Sequence, residues 1–137
     1  MGRIIGIDYG LKRTGLAVSD PLKIIATALD TIQSDKVLDY LKSYCQKEEV
    51  ESFVLGMPKN LNGADTDGTA IAQVFNEQLK EAFPDKKIYL VDERFTSKIA
   101  FNSMLSNGTK KKERREKGNI DKIAATIILQ DFMQTMP

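Results

Sequence analysis

Hydrophobic residues along the first part of the chain form runs that predict three strands. Ile4, Ile5 and Ile7 make a nearly continuous apolar run, typical of a strand covered on both faces. Residues 16–18 begin a second apolar segment, and residues 24–32 form a third that is rich in β-branched side chains. Because the connections between them are short, the three segments are expected to pair as an antiparallel meander.

Beyond the meander, apolar residues at three- and four-residue spacing predict amphipathic helices over 37–45, 71–79 and 120–132. Short apolar strands are predicted between them, over 53–57 and 88–91. Alternating helices and strands imply right-handed crossovers and parallel pairing. The expected fold is an α/β domain with a five-stranded mixed sheet, in which three antiparallel strands precede the parallel ones and helices cover both faces.

Polar residues at the predicted helix starts are candidate N-caps. The expected caps are Ser34 or Asp35 for the first helix, Thr96 or Ser97 for a helix after the fifth strand, and Asn119 for the last helix. A cap at Asn119 would place Asp121 in the first turn of the last helix.

The composition is that of an ordinary globular protein, with 42% hydrophobic and 28% charged residues among 137. This length suits a single domain over residues 1–137. No apolar run is long enough to span a membrane. The single cysteine, Cys45, can form no internal disulfide, and we expect a half-buried helix residue in a cytoplasmic protein.

The chain contains no histidine, which excludes several kinds of active site. Ser-His-Asp and Cys-His catalysis, His-ligated zinc sites and the His/Cys zinc deaminases all require that residue. Any acid–base or metal chemistry must therefore use carboxylates, Lys, Tyr or bound water.

Three acidic residues stand at positions where the predicted fold could bring them together. Asp8 ends the first strand, Glu93 follows the fifth, and Asp121 begins the last helix. The carboxyl ends of parallel strands share one edge of the sheet, where open α/β sheets bind ligands, and Lys59 and Asn60 fall on that edge too. Ala124 and Ala125 would let the last helix approach the sheet closely.

If the three carboxylates meet, their repulsion disfavours full ionisation without a cation. A site made only of oxygen ligands suits Mg²⁺ or Mn²⁺, and such ions can activate water for attack on a phosphodiester. The basic segment Thr109–Gly118 carries six basic and two acidic side chains, a net charge of +4, and precedes Asp121 in the sequence. Its position favours phosphate binding.

Each of these features also has an ordinary structural interpretation. Asp8 could be a turn residue, Glu93 could pair with Arg94, and Asp121 is favoured near a helix N-terminus by the helix dipole. The basic segment could be a solvated loop. On the residues alone, a catalytic site and these interpretations both remain open.

Four motifs together resemble the YqgF family of RNase H-like proteins over essentially the whole chain. They are Gly6–Asp20 (GIDYGLKRTGLAVSD), Gly56–Gly63 (GMPKNLNG), Val91–Ser97 (VDERFTS) and Asp121–Ala125 (DKIAA). The family is described both as Holliday junction resolvase-like and as nucleases that process precursor 16S ribosomal RNA.

The resemblance implies an RNase H-like fold and a metal-binding catalytic role for Asp8, Glu93 and Asp121. It also implies phosphate contacts by the basic pair Lys12 and Arg13. With the edge and loop residues noted above, the expected nucleic-acid-binding set is Lys12, Arg13, Lys59, Asn60, Arg94, Lys110, Lys111, Lys112, Arg114 and Arg115.

The sequence departs from RuvC-type resolvases at two acidic positions. Met57 and Pro58 stand where those proteins carry their second acid, and Ala124 stands where they carry a fourth. Glu93 is therefore the expected second acid, and the number of metal ions stays open. The leading hypothesis is a metal-dependent nuclease for structured RNA. The alternatives are a junction-cutting DNA endonuclease and a non-catalytic RNA-binding assembly factor, as a monomer or weak homodimer.

Overall fold

The computed structural model describes residues 2–58, 67–92 and 117–135, and within them all side chains except those of residues 67 and 117–121. In chain order the described elements are β1 (Arg3–Tyr9), β2 (Arg13–Ser19), β3 (Ala26–Gln33), a short 3-10 turn (Ser34–Lys36), α1 (Val37–Lys47), β4 (Val50–Met57), α2 (Asp67–Ala82), β5 (Lys87–Asp92) and α3 (Lys117–Gln134).

The five strands form one mixed sheet in the order β3-β2-β1-β4-β5. The pairs β1–β2 and β2–β3 are antiparallel, whereas β1–β4 and β4–β5 are parallel. This confirms the predicted antiparallel meander and the predicted parallel strands beside the first one. The carboxyl ends of β1, β4 and β5 therefore lie at one edge of the sheet.

Hydrophobic clusters cover both faces of the sheet, as the apolar run in β1 predicts. Ile5 and Ile7 belong to the cluster that contains the buried residues of α1 and α2. Ile4 belongs to the other cluster, with Ala125, Ile128 and other residues of α3. Successive side chains of a strand point to opposite faces, so β1 divides the two cores residue by residue.

The last helix lies very close to the centre of the sheet. A Cβ atom on Gly6 would be 2.8 Å from the Leu129 Cβ and 2.9 Å from the carbonyl oxygen of Ala125. The absence of a side chain at Gly6 therefore allows α3 to pack closely on β1. Ala124 and Ala125 are both buried, which confirms the prediction that small residues let this helix approach closely.

Two predicted element boundaries are wrong near the β2–β3 connection and the start of α1. The third strand begins at Ala26, because the Asp20 carboxylate accepts the backbone N–H groups of Ile24 and Ile25 at 2.7 and 2.8 Å and holds them in a loop. Ser34 does not cap α1. That helix begins after the 3-10 turn, and its N-cap, Lys36, makes no side-chain cap hydrogen bond.

The start of the last helix also differs from the prediction. The helix α3 begins at Lys117, two residues before the expected cap Asn119, so Asp121 is its fifth residue and not part of the first turn. The expected helix after β5, with its cap at Thr96 or Ser97, lies outside the described residues.

The described helices include none with the length and apolar character needed to cross a membrane.

Candidate active site at the carboxyl edge of the sheet

Asp8 lies near the end of the central strand β1 and is half-buried. Its antiparallel partner is Gly15, which has no side chain to fill the space beside the carboxylate. The next residue, Tyr9, stacks on Phe75 of α2 with 4.2 Å between ring centroids. Because neighbouring strand residues point to opposite faces, Asp8 belongs to the face covered by α3.

The direction of α3 can be read from its contacts. Met133 and Gln134, near its end, line the same cavity as Lys23, and Lys23 forms an ion pair with Glu51 near the start of β4. The end of α3 therefore lies toward the amino ends of β1 and β4, and its beginning lies toward the carboxyl end of β1, where Asp8 is found.

The backbone of α3 includes Asp121 and carries it toward the carboxyl edge of the sheet. It lies four residues, about one helical turn, before Ala125, whose carbonyl oxygen faces Gly6. Asp8 lies two residues beyond Gly6 on the same face of β1. The side chain of Asp121 lies outside the described set, so its meeting with Asp8 stays a prediction.

The fifth strand leads directly to Glu93. Tyr89 packs on Phe132 of α3, with 4.8 Å between ring centroids, and Val91 packs against the cluster on the same face. Asp92, which pairs with Met57 of β4, therefore points to the opposite face from Asp8. Glu93 follows Asp92 in sequence and lies outside the described residues.

The basic pair of the first motif lies at the end of the turn that follows β1. Lys12 is an exposed turn residue, and Arg13 is the exposed first residue of β2. By strand alternation from Ala17, which packs against α3, Arg13 belongs to the same face as Asp8. The remaining predicted nucleic-acid-binding residues lie outside the described part of the chain: Lys59, Asn60, Arg94, Lys110, Lys111, Lys112, Arg114 and Arg115.

The described site residues differ in the chemistry they can perform near neutral pH. Burial, and secondarily the negative charge of Asp35, raises the pKa of the Tyr9 hydroxyl above its ordinary value. Tyr9 therefore stays protonated and is unsuited to act as a base, whereas a carboxylate at Asp8 can accept a proton or bind a cation. Within the described side chains, no three His, Cys, Asp or Glu residues form a potential metal site.

Sequence reasoning missed a buried hydroxyl network behind the turn. The Ser34 hydroxyl donates to the Gly10 carbonyl oxygen at 2.6 Å and lies 2.8 Å from the Thr14 hydroxyl. At the end of β4, the Thr69 hydroxyl donates to the Pro58 carbonyl oxygen. For Ser34 the available signal was a polar residue soon after a predicted strand, which the sequence analysis interpreted only as a candidate helix cap.

The chain matches the model of one protein family over residues 2–135, and that family is described as "RuvX: Holliday junction resolvase". The chain belongs to the RuvX family. This confirms the resemblance to the YqgF family, which is the same family under another name.

Several curated relatives of this RuvX-family chain cover nearly its full length. One from Flavobacterium johnsoniae is 48% identical over 98% of both chains, and one from Amoebophilus asiaticus is 49% identical over 98% of this chain and 96% of its own. A third, from Bacteroides fragilis, is 44% identical over 98% of both. All three carry the name "Putative pre-16S rRNA nuclease".

Solved structures of two other proteins share the fold of the RuvX-family chain. Thermus thermophilus RuvC, in complex with a Holliday junction substrate, aligns with a TM-score of 0.57 and 16% identity over 98% of both chains. The large terminase nuclease of the thermophilic phage G20c aligns with a TM-score of 0.54 and 13% identity, over 94% of this chain and 81% of its own. The predicted RNase H-like fold is confirmed.

Proposed function

We propose that this RuvX-family protein is a metal-dependent nuclease that hydrolyses phosphodiester bonds at the 5′ end of precursor 16S ribosomal RNA. The observation that carries the proposal is the position of Asp8, a half-buried carboxylate at the carboxyl end of the central strand and on the face covered by α3. The names of the curated relatives support the choice of RNA substrate.

We assign the metal site to Asp8, Glu93 and Asp121. Asp8 fits a hard divalent cation because carboxylate oxygens are the ligands that Mg²⁺ and Mn²⁺ prefer. The Gly6–Ala125 contact and the direction of α3 support the approach of Asp121, and the end of β5 supports that of Glu93. When bound, the metal would lower the pKa of an attacking water and stabilise the leaving oxygen.

The basic residues near this edge are assigned to the phosphate backbone of the substrate. Lys12 and Arg13 follow Asp8 across a single turn, so they would orient the strand whose phosphodiester lies at Asp8. Lys59, Asn60, Arg94 and the basic segment 109–118 would extend the contact. Binding of this kind weakens steeply as salt concentration rises.

The deciding experiment compares Asp8→Asn with Asp92→Asn in cleavage of a 16S rRNA precursor with an extended 5′ end. Asp92 is a matched control because it is an acid at the same edge that faces the other side of the sheet. We expect Asp8→Asn to abolish cleavage supported by Mg²⁺ or Mn²⁺ while Asp92→Asn retains it.

Circular dichroism must show both variants folded, and EDTA should abolish wild-type cleavage. Metal-dependent cleavage that persists in Asp8→Asn would refute the catalytic assignment. If the wild type and both variants bind RNA in a salt-sensitive way but none of them cleaves it, a non-catalytic RNA-binding role would be favoured instead.

The family description supports a second candidate, cleavage of branched DNA at the same site. A four-way DNA junction assayed in parallel with the RNA precursor separates the two functions. Symmetric cutting of a junction requires two active sites and hence a dimer, so light scattering with and without junction DNA is the accompanying measurement. We place either activity in the cytoplasm, consistent with a single unpaired cysteine, Cys45.

A further inference from the structure

We propose that Ser34 is a positioning residue for nucleic-acid binding. Its hydrogen bonds hold the turn between Asp8 and the basic pair from the face of the sheet opposite to Asp8. The inference rests on the proposed function, since it assigns the turn to phosphate contacts. Ser34 follows the last residue of β3, lies 24 positions from Gly10, and is only 7% exposed.

Three hydrogen bonds join Ser34 to the turn and its flanking strand. Its backbone N–H donates to the Lys12 carbonyl oxygen at 3.0 Å, and its hydroxyl donates to the Gly10 carbonyl oxygen at 2.6 Å. The Thr14 hydroxyl, which is fully buried, lies 2.8 Å from the Ser34 oxygen. A serine hydroxyl has one proton, here given to Gly10, so the Thr14 hydroxyl donates to Ser34.

The turn itself has little freedom to rearrange. A Cβ atom on Gly10 would lie 2.5 Å from the Arg13 carbonyl oxygen, so the chain closes on itself too tightly for any side chain there. With the carbonyl groups of Gly10 and Lys12 both held by Ser34, the backbone of the turn is fixed at two points. Tyr9, just before it, is held by its stacking on Phe75.

The network and the proposed substrate contacts lie on opposite sides of the sheet. Thr14 alternates with Leu16, which packs in the cluster of α1 and α2, whereas Arg13 and Asp8 belong to the face of α3. Ser34 therefore cannot bind the substrate at Asp8 directly, but it can hold Lys12 and Arg13 in the position where phosphates bind. Such preorganisation lowers the ordering cost of binding.

The test measures RNA binding in EDTA at several salt concentrations, so that cleavage does not enter. Ser34→Ala is compared with Lys12→Ala, with the double variant, and with Ser19→Ala. Ser19 is a matched control because its buried hydroxyl also joins two parts of the β1–β2 pair, accepting the Ile4 N–H at 2.8 Å and donating to the Asp20 carbonyl oxygen at 3.0 Å. It does so at the far end, away from the turn.

We expect Ser34→Ala to weaken binding by about 3- to 10-fold and to reduce the slope of log Kd against log salt by roughly 0.7, as for one lost phosphate contact to a single strand. The loss in the double variant should be smaller than the sum of the two single losses, because the Lys12 contact is lost in both single variants. Ser19→Ala should keep the wild-type slope.

If Ser34→Ala, shown folded by circular dichroism, keeps the wild-type slope, or if its effect adds fully to that of Lys12→Ala, the positioning role is refuted. This outcome differs from failure of the proposed function, in which the wild-type protein itself shows no salt-sensitive RNA binding.

Discussion

Replacing Gly6 with alanine tests whether the close approach of α3 to β1 builds the candidate site. The added methyl group would meet Leu129 Cβ at 2.8 Å and the Ala125 carbonyl oxygen at 2.9 Å. Carbon atoms pack best about 3.5 to 4.0 Å apart, so the helix must retreat by roughly 0.7 Å or more. The retreat would begin one turn from Asp121, the predicted partner of Asp8.

The expected loss in the free energy of unfolding follows from overpacking in other protein cores, which typically destabilises by about 1 to 3 kcal/mol. Neither obstacle is the flexible end of a long side chain, since one is a Cβ and the other a backbone oxygen, and we therefore expect the upper half of this range. For a domain of this size the melting temperature should fall by roughly 3 to 5 °C per kcal/mol.

The control is Ile5→Val, the neighbouring residue of β1 on the opposite face, where it packs with α1 and α2. That change should cost about 0.5 to 1.5 kcal/mol without moving α3. Urea unfolding followed by circular dichroism suits a chain without tryptophan, and cleavage of the RNA precursor is measured well below the melting temperature.

We expect Gly6→Ala to lose at least tenfold in cleavage rate while Ile5→Val stays near wild type. A displacement that costs stability but leaves the rate unchanged would show that the position of α3 does not set the site. A stability change below about 0.5 kcal/mol would contradict the close approach itself.

Two substitutions and one reactivity measurement test the packing and the titration of the described residues. Phe75→Ala should lower the free energy of unfolding by about 3 to 5 kcal/mol, because it removes a buried ring and its stacking on Tyr9; a urea titration showing less than 1 kcal/mol would contradict this. Backbone hydrogen bonds, chiefly the one from the Ile25 N–H, hold the pKa of Asp20 below its ordinary value. The Asp20 carboxylate therefore stabilises the fold above about pH 4, and this contribution is lost as pH falls through the folded pKa. The stability deficit of Asp20→Asn should therefore shrink below about pH 4, and a pH-independent deficit would argue against it. Burial raises the pKa of the Cys45 thiol, so its reaction with a thiol reagent at pH 7 should be slower than that of a free cysteine peptide, and an equal or faster rate would show an accessible, activated thiol.

The strand order and the two-sided core could be predicted because most strands and helices show their own pattern of apolar residues in the sequence. The apolar run through Ile7 is typical of a strand covered on both faces, and the later alternation of helices and strands permits few topologies. The observed sheet order confirms this reasoning.

The predicted element boundaries and helix caps were wrong where one side chain had two possible hydrogen-bond partners. Ser34 has the composition of an N-cap, yet its hydroxyl bonds across the sheet to Gly10 and Thr14. Asp20 likewise follows the last residue of β2, and its carboxylate accepts the two N–H groups that the pattern assigned to the next strand. A linear sequence does not show which distant group competes for such a hydroxyl or carboxylate.

The face on which each acid lies was also beyond sequence reasoning. In a strand buried on both sides, as β1 is, apolar residues occupy successive positions, so the alternation that normally marks one face is missing. The structure identifies the two faces through the Tyr9–Phe75 stack on one side of the sheet and the Tyr89–Phe132 contact on the other. With these contacts the adjacent acids of the third motif become distinguishable, because Asp92 falls on the face away from Asp8. Strand alternation continued by one residue predicts that Glu93 shares the face of Asp8, so we expect Glu93→Gln to abolish cleavage of the RNA precursor and Asp92→Asn to retain it.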